Sequence, residues 1–145
     1  MKWLLLSVGK PALAFARAGR DEYLARLAHF ARVETAEIKS STPARESAAL
    51  LARSEGCFRV VLDERGRQLA SRVLAGQVGR WQQAARPVAV IIGGAAGHGE
   101  TLIRSADFVW SLGPLTLQHE IALVVALEQL YRAHTILTGH PYHRD

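Results

Sequence analysis

The chain has 145 residues, of which 49% are hydrophobic and 21% charged, and its formal net charge is +5 at pH 7. Its single cysteine, Cys57, excludes a disulfide scaffold and a cysteine-based zinc site, and it favours a reducing compartment. The longest apolar run, residues 121–127, is too short to span a membrane, so we expect one cytoplasmic domain over residues 1–145.

Hydrophobic periodicity and turn residues divide the chain into alternating strands and helices. In chain order the predicted elements are a strand over 2–8, a helix over 13–30, a marginal strand over 33–38, a helix over 42–53, a strand over 58–62 that ends in a turn over 63–66, a helix over 71–81, a strand over 88–92, a short helix around 102–103, a strand over 108–112 and a helix over 120–134. Thr42 and Ser71 are the predicted N-caps. Strands this continuously apolar favour an α/β fold with a mainly parallel sheet flanked by helices.

Three predicted strand ends are candidates for a binding site, because parallel α/β sheets bind ligands at the carboxyl ends of their strands. They are Leu62-Asp63, Gly93-Gly94 and Leu112-Gly113-Pro114. We expect them to form the walls of one site.

The glycine-rich run over residues 94–101 nearly matches a phosphate-binding P-loop. The lysine position of that motif holds Glu100, whose carboxylate would repel phosphates, so a nucleotide triphosphatase is disfavoured. The run is then either a flexible turn or a place where a ligand approaches the backbone closely.

Basic residues concentrate in residues 1–104, which hold 16 Lys and Arg against 9 Asp and Glu. The excess indicates either a polyanionic partner, most simply nucleic acid, or a solvated arginine-rich surface. The spacing of the histidines does not match a metal site, and no Ser-His-Asp pattern for acyl transfer is present in the sequence.

The end of the chain concentrates side chains suited to chemistry: His140, Tyr142, His143 and Arg144. A terminal segment usually frays. These residues therefore form either a disordered end or an ordered tail that supplies hydrogen bonds and charge to a site.

Three segments in the last third of the chain, residues 115–119, 127–133 and 140–144, together resemble the RlmH family. These are the ribosomal large-subunit pseudouridine methyltransferases of the SPOUT, or α/β-knot, superfamily. Residues 61–66 and 90–94 are similar to the family's earlier core strands, so the resemblance covers essentially the whole chain.

The resemblance implies a C-terminal trefoil knot, a homodimer, and methylation of N3 of a pseudouridine in 23S rRNA on the assembled ribosome, with S-adenosylmethionine (SAM) as cofactor. It places the cofactor on Leu62, Gly94, Leu112, Gly113, Pro114, Leu115, Thr116 and Leu117. These positions coincide with the three strand ends chosen above. The alternative is a basic RNA-binding protein without catalysis.

The sequence departs from the family's pattern at three positions. Leu123 stands where relatives commonly have Arg, Gln118 replaces a usual Pro, and Ala96 stands where relatives often have an acidic residue or Asn. These departures concern details of substrate contact more than the class of reaction.

Methylation at N3 requires loss of the N3 proton and stabilisation of charge on the neighbouring carbonyl oxygens. His140, His143 and His119 are candidate general bases. We expect Tyr142 and Arg144 to orient the ring and stabilise that charge, with the tail acting across the dimer.

The helix over 120–134 is apolar nearly all round, which predicts a further apolar contact. Ile121, Val124, Val125 and Leu127 cover more of its circumference than one core contact needs. We therefore expect a symmetric dimer with these helices near its axis, and no membrane or metal partner.

Overall fold

The computed structural model describes residues 1–94 and 97–145, and the departure noted at Ala96 lies outside these ranges. Within them, five parallel strands form one sheet in the order β2-β1-β4-β3-β5. The strands are β1 (Lys2–Val8), β2 (Arg32–Ile38), β3 (Phe58–Gln68), β4 (Val88–Ile92) and β5 (Phe108–Ser111). The helices are α1 (Ala14–Leu27), α2 (Pro43–Arg53), α3 (Ser71–Gln82), α4 (Glu100–Arg104) and α5 (His119–Thr138).

The sheet is covered by helices on both faces, which confirms the predicted α/β class. Side chains alternate along each strand, so that in β1 Trp3 and Leu5 enter one core while Leu6 and Val8 enter the other. Helices α1, α3 and α5 pack on the first face, and α2 and α4 pack on the second. In the part of the chain that the structure describes, no helix is long and apolar enough to cross a membrane. The trefoil knot stays a prediction from the resemblance.

Strand β3 continues beyond its predicted end. The segment predicted as a terminal turn, 63–66, is instead a bulge within the strand, because Leu62 before it and Arg67 after it both pair with Trp110. Gly66 allows this arrangement, since a Cβ atom there would lie 2.5 Å from a backbone oxygen of β5. The sequence showed the turn residues but not that the chain rejoins the sheet after them.

The structure confirms one of the two predicted N-caps and corrects the other. The Thr42 hydroxyl accepts a hydrogen bond from the backbone N–H of Arg45 at 3.3 Å, as predicted for an N-cap. Ser71 is the first helical residue rather than the cap, and its hydroxyl donates to the side chain of Gln129 on α5 at 2.8 Å. A tertiary contact therefore takes the hydroxyl that the local pattern assigned to capping.

Candidate functional site

A cavity of about 520 Å³ opens between the β3 bulge, the ends of β4 and β5, and the start of α5. Seven of the eight residues expected to hold the cofactor line it: Leu62, Gly94, Leu112, Gly113, Leu115, Thr116 and Leu117. Pro114 is the eighth, and it is outside the lining that the described residues form. The fold thus brings the three predicted strand ends together around one space.

A tight turn after β5 directs the chain along this cavity. The buried Ser111 hydroxyl donates to the carbonyl of Gly113 at 3.0 Å and lies 3.2 Å from the Gly113 backbone N–H. The φ of Gly113 is 138°, a conformation that side-chain-bearing residues rarely adopt. Glycine at this position therefore sets the path of residues 114–118.

Two carboxylates on the β3 bulge line the cavity: Asp63, which the sequence placed at one wall of the predicted site, and Glu64, which it did not single out. Asp63 makes a two-point ion pair with Arg65, at 2.8 and 3.1 Å, and the hydrogen bonds from Arg65 lower the pKa of Asp63 below its ordinary value. Glu64 reaches across the cavity mouth, where its Oε2 accepts from the Thr116 hydroxyl at 3.3 Å. Their position directly after Leu62 was the signal in the sequence.

His98 is a further lining residue that the sequence analysis did not single out. Its ring packs on the backbone of Gly93, where a Cβ atom would lie 3.0 Å from the imidazole. Burial lowers the pKa of His98, so the ring is neutral near pH 7. Its Nε2 atom is buried and has no hydrogen-bond partner within 1–94 and 97–145.

Gly94 lines the cavity and is also restricted by packing on its other side. A Cβ atom at Gly94 would lie 3.1 Å from the side chain of Val8 and 3.7 Å from Oε1 of Glu46. Both neighbours belong to the protein interior. A Cβ atom at this position would therefore require a small shift of the Val8 side chain on β1, whereas its distance to Glu46 on α2 is an ordinary contact.

The amino end of α5 forms another part of the cavity wall, through Gln118 and His119. The Gln118 side chain caps the helix by accepting from the backbone N–H of Glu120 at 2.8 Å. Glu120 is buried and accepts from the backbone N–H of Leu13 at 2.9 Å, which holds the pKa of Glu120 below its ordinary value. Of the three histidines proposed as general bases, His119 is the one that lines the cavity.

The C-terminal tail is ordered against α5 rather than frayed. The Tyr142 hydroxyl donates to Oε1 of Glu128 at 3.0 Å and lies 3.1 Å from the hydroxyl of Tyr23 on α1. Its ring centroid lies 4.7 Å from that of Tyr131, in an edge-to-face arrangement. Burial is the main reason that the pKa of the Tyr142 hydroxyl is raised above its ordinary value.

The last residue ties the tail to α3. Arg72 donates to both oxygens of Asp145, at 2.8 and 2.6 Å, and these bonds are the main reason that the pKa of Asp145 falls to about 2. His143 bridges this pair to α5, because its Nε2 lies 2.9 Å from Asp145 and its Nδ1 lies 3.1 Å from Arg132. Three helices therefore hold the tail in place.

The expected catalytic side chains do not line the cavity of their own chain. Tyr142 and His143 contact α5 around residues 128–132, whereas the cavity lies at residues 118–122 of the same helix. At ~1.5 Å per residue, these regions are separated by roughly 10 Å along the helix. His140 and Arg144 are exposed.

The helix face expected to contact a second copy is partly used within the chain. Leu127 is buried in the core, and Val124 packs against Gly19 on α1. Leu123, one of the departures from the family pattern, is also buried and so does not face solvent. Ile121 remains 38% exposed, and Leu13 and Phe15 are also exposed.

Comparison with known proteins agrees with this architecture. A family model described as "Predicted SPOUT methyltransferase" matches residues 1–143. Proteins named "Ribosomal RNA large subunit methyltransferase H" from Thermus thermophilus and Deinococcus radiodurans are 44% and 40% identical, over 99% of this chain and 99% of their own. The chain belongs to the RlmH family of SPOUT methyltransferases.

Solved structures share the SPOUT fold at low sequence identity. A tRNA (m1G37) methyltransferase from Aquifex aeolicus superimposes with a TM-score of 0.59 at 14% identity, covering 99% of this chain and 73% of that one. A methyltransferase from Legionella pneumophila, solved in complex with SAM, gives 0.50 at 13% identity, covering 91% of this chain and 65% of that one. In the described ranges, this SPOUT chain has no group of three potential metal ligands.

Proposed function

We propose that this SPOUT protein methylates N3 of a pseudouridine in 23S rRNA on the assembled ribosome, with SAM as methyl donor. The observation that carries the proposal is the cavity between the β3 bulge and the ends of β4 and β5, since seven of the eight expected cofactor residues line it. The printed name of the relatives supports a large-subunit rRNA target, and the net charge of +5 suits a polyanion. We propose residues 1–145 as one cytoplasmic domain.

The cavity has the size and chemistry for such a cofactor. About 520 Å³ lies within the ordinary range for small-molecule sites. Leu62, Leu112 and Leu117 offer apolar surface for a flat ring, and the carboxylates of Asp63 and Glu64 offer negative charge for a cation. SAM, when bound, supplies a methyl group activated by attachment to a sulfonium sulfur.

We assign His119 as the candidate base contributed by the chain that holds the cofactor. It lines the cavity, and its Nε2 lies 3.9 Å from Oε2 of the buried Glu120. Glu120 is held by the backbone N–H of Leu13, so it stabilises the position of the helix start. In this role His119 would accept the N3 proton of the base.

The tail residues would act on the cavity of a second copy. Their distance from the cavity of their own chain supports this arrangement, as does the exposure of the large apolar side chains of Leu13, Phe15 and Ile121. Tyr142 and Arg144 would then orient the ring and stabilise charge on its carbonyl oxygens. Light scattering should give twice 15.9 kDa at micromolar concentration, and a monomer mass would overturn this assignment.

Subunit mixing tests the action across the dimer. One variant lacks residues 142–145, and the other carries Ala122→Phe, which fills the cavity from its α5 wall. Each homodimer should be inactive. If the tail acts across the dimer, the mixture should regain activity, because the truncated chain keeps a cavity and its partner keeps a tail. A mixture as inactive as its components would mean that the tail acts within its own chain, and an active truncated homodimer would place the tail outside catalysis.

The reaction itself is tested in two measurements. Calorimetric titration should show binding of SAM and none of ATP, because the glycine-rich run has Glu100 at the lysine position of a P-loop. Mass spectrometry of 23S rRNA from a strain lacking the gene should show loss of one methylated pseudouridine. Unchanged methylation would refute the activity, and RNA binding without SAM binding would favour a non-catalytic RNA-binding protein.

A further inference from the structure

Glu64 is the cavity carboxylate that has no cation partner within 4 Å in the described part of the chain. Its neighbour Asp63 is neutralised by Arg65, which contacts both oxygens of that carboxylate. Glu64 accepts instead from the neutral hydroxyl of Thr116, at 3.3 Å across the cavity mouth. The three side chains of the bulge, Asp63, Glu64 and Arg65, therefore carry one net negative charge at this wall.

The other described lining side chains that can carry a positive charge are two histidines, His98 and His119, and His119 is the residue assigned above as the candidate base. His98 is neutral near pH 7, since burial lowers its pKa. Next to His119 on α5, the buried carboxylate of Glu120 accepts a hydrogen bond from the backbone N–H of Leu13. The described lining residues thus include two carboxylates and no lysine or arginine, in a chain whose net charge is +5.

A free carboxylate at this place is unfavourable beside the phosphates of an RNA substrate, because like charges repel. It is favourable beside a ligand that is itself positive. SAM carries one positive charge more than S-adenosylhomocysteine, its demethylated product. In the methyl transfer, N3 would form a bond to the methyl carbon as the bond between that carbon and sulfur breaks; the electron pair of the broken bond stays on sulfur, and the N3 proton passes to the general base. The ligand thereby loses the charge that the carboxylate attracts.

We propose that Glu64 discriminates by charge between the positively charged methyl donor and its neutral product, so that the cavity holds the substrate form and releases the spent form. This inference rests on the proposed use of SAM. The bridge to Thr116 orients the carboxylate over the cavity before the ligand enters. Discrimination by net charge does not require a direct contact, since the interaction acts over several ångströms.

The size of the effect follows from Coulomb's law. For two unit charges about 7 Å apart, at an effective dielectric constant between that of a protein surface and that of water, the expected ratio is roughly three- to tenfold in affinity. Screening by about 1 M salt should remove most of it, because the Debye length then falls to roughly 3 Å.

The test is calorimetric titration of SAM and S-adenosylhomocysteine into the full-length protein, Glu64→Gln and Glu55→Gln, at low and high salt. Glu55 is the matched control, because it is exposed just before the amino end of β3, whereas Glu64 lies toward the other end. Glu64→Gln should weaken SAM binding three- to tenfold at low salt and leave binding of S-adenosylhomocysteine unchanged. Glu55→Gln should change neither.

The results separate this inference from the proposed function. If the unmodified protein binds SAM and Glu64→Gln keeps the same ratio of the two affinities, the inference is wrong while the proposed cofactor stands. An equal change in Glu55→Gln would also overturn it, since the effect would then reflect net charge alone. If the unmodified protein binds neither ligand, the proposed function itself is wrong.

Discussion

His134 provides a test of the core through the pH dependence of stability. The side chain is 2% exposed on α5, and its Nε2 accepts a hydrogen bond from Nε1 of Trp3 on β1 at 3.0 Å. Its ring is also stacked on Phe30, with centroids 5.7 Å apart. Because Nε2 must carry a lone pair to accept from Trp3, the neutral imidazole is the form that fits this site.

The size of the expected loss of stability on acidification follows from the shift in the pKa of His134. Burial, with a smaller contribution from the positive amino terminus, lowers the pKa of His134 from 6.5 to about 4. Below pH 6.5 the unfolded chain gains this proton before the folded chain does, so stability is complete above 6.5 and falls as the pH falls towards 4. Between pH 8 and pH 5, the loss from this residue is about 2 kcal/mol.

Urea unfolding at pH 8 and pH 5 measures this loss. His134→Gln keeps an acceptor near Trp3 but does not titrate, so it should lose about 2 kcal/mol less stability on acidification than the unmodified protein. His29→Gln, at an exposed position, is the matched control and should retain the full dependence. An unchanged dependence in His134→Gln would refute the account of a buried neutral imidazole, whatever the absolute stability of that variant.

The remaining predictions concern the cavity and the β3 bulge. Ala122→Phe should weaken SAM binding at least about tenfold in calorimetry by occupying the cavity, whereas Ala18→Phe, on the exposed face of α1, should not. Gly66→Ala should lower the free energy of unfolding by about 2–4 kcal/mol, since its Cβ would meet a β5 backbone oxygen at 2.5 Å. Gly76→Ala, with open space around its Cβ on α3, should instead raise it by up to about 1 kcal/mol. An unchanged free energy of unfolding in Gly66→Ala would contradict the bulge geometry.

Local patterns predicted the existence and kind of most elements because their causes are local. The apolar run of β4 (Val88–Ile92) and the start of α2 at Thr42 need only a few neighbouring residues to be recognised. The boundaries were less accurate where tertiary contacts intervene. The Ser71 hydroxyl bonds to α5 instead of capping α3, and β3 resumes after a bulge that a neighbouring strand stabilises.

The amino-acid sequence was sufficient to predict the α/β class, three segments that meet at the candidate site and, through the resemblance, the family. Only the tertiary structure shows that Glu64 and His98 join Asp63 at the cavity wall, and that the Val8 side chain packs directly against Gly94. The physical reason is that strand order brings together segments that are distant along the chain. Which side chains then face one another depends on strand register and on bulges. Neither can be predicted from the spacing of residues within a single segment.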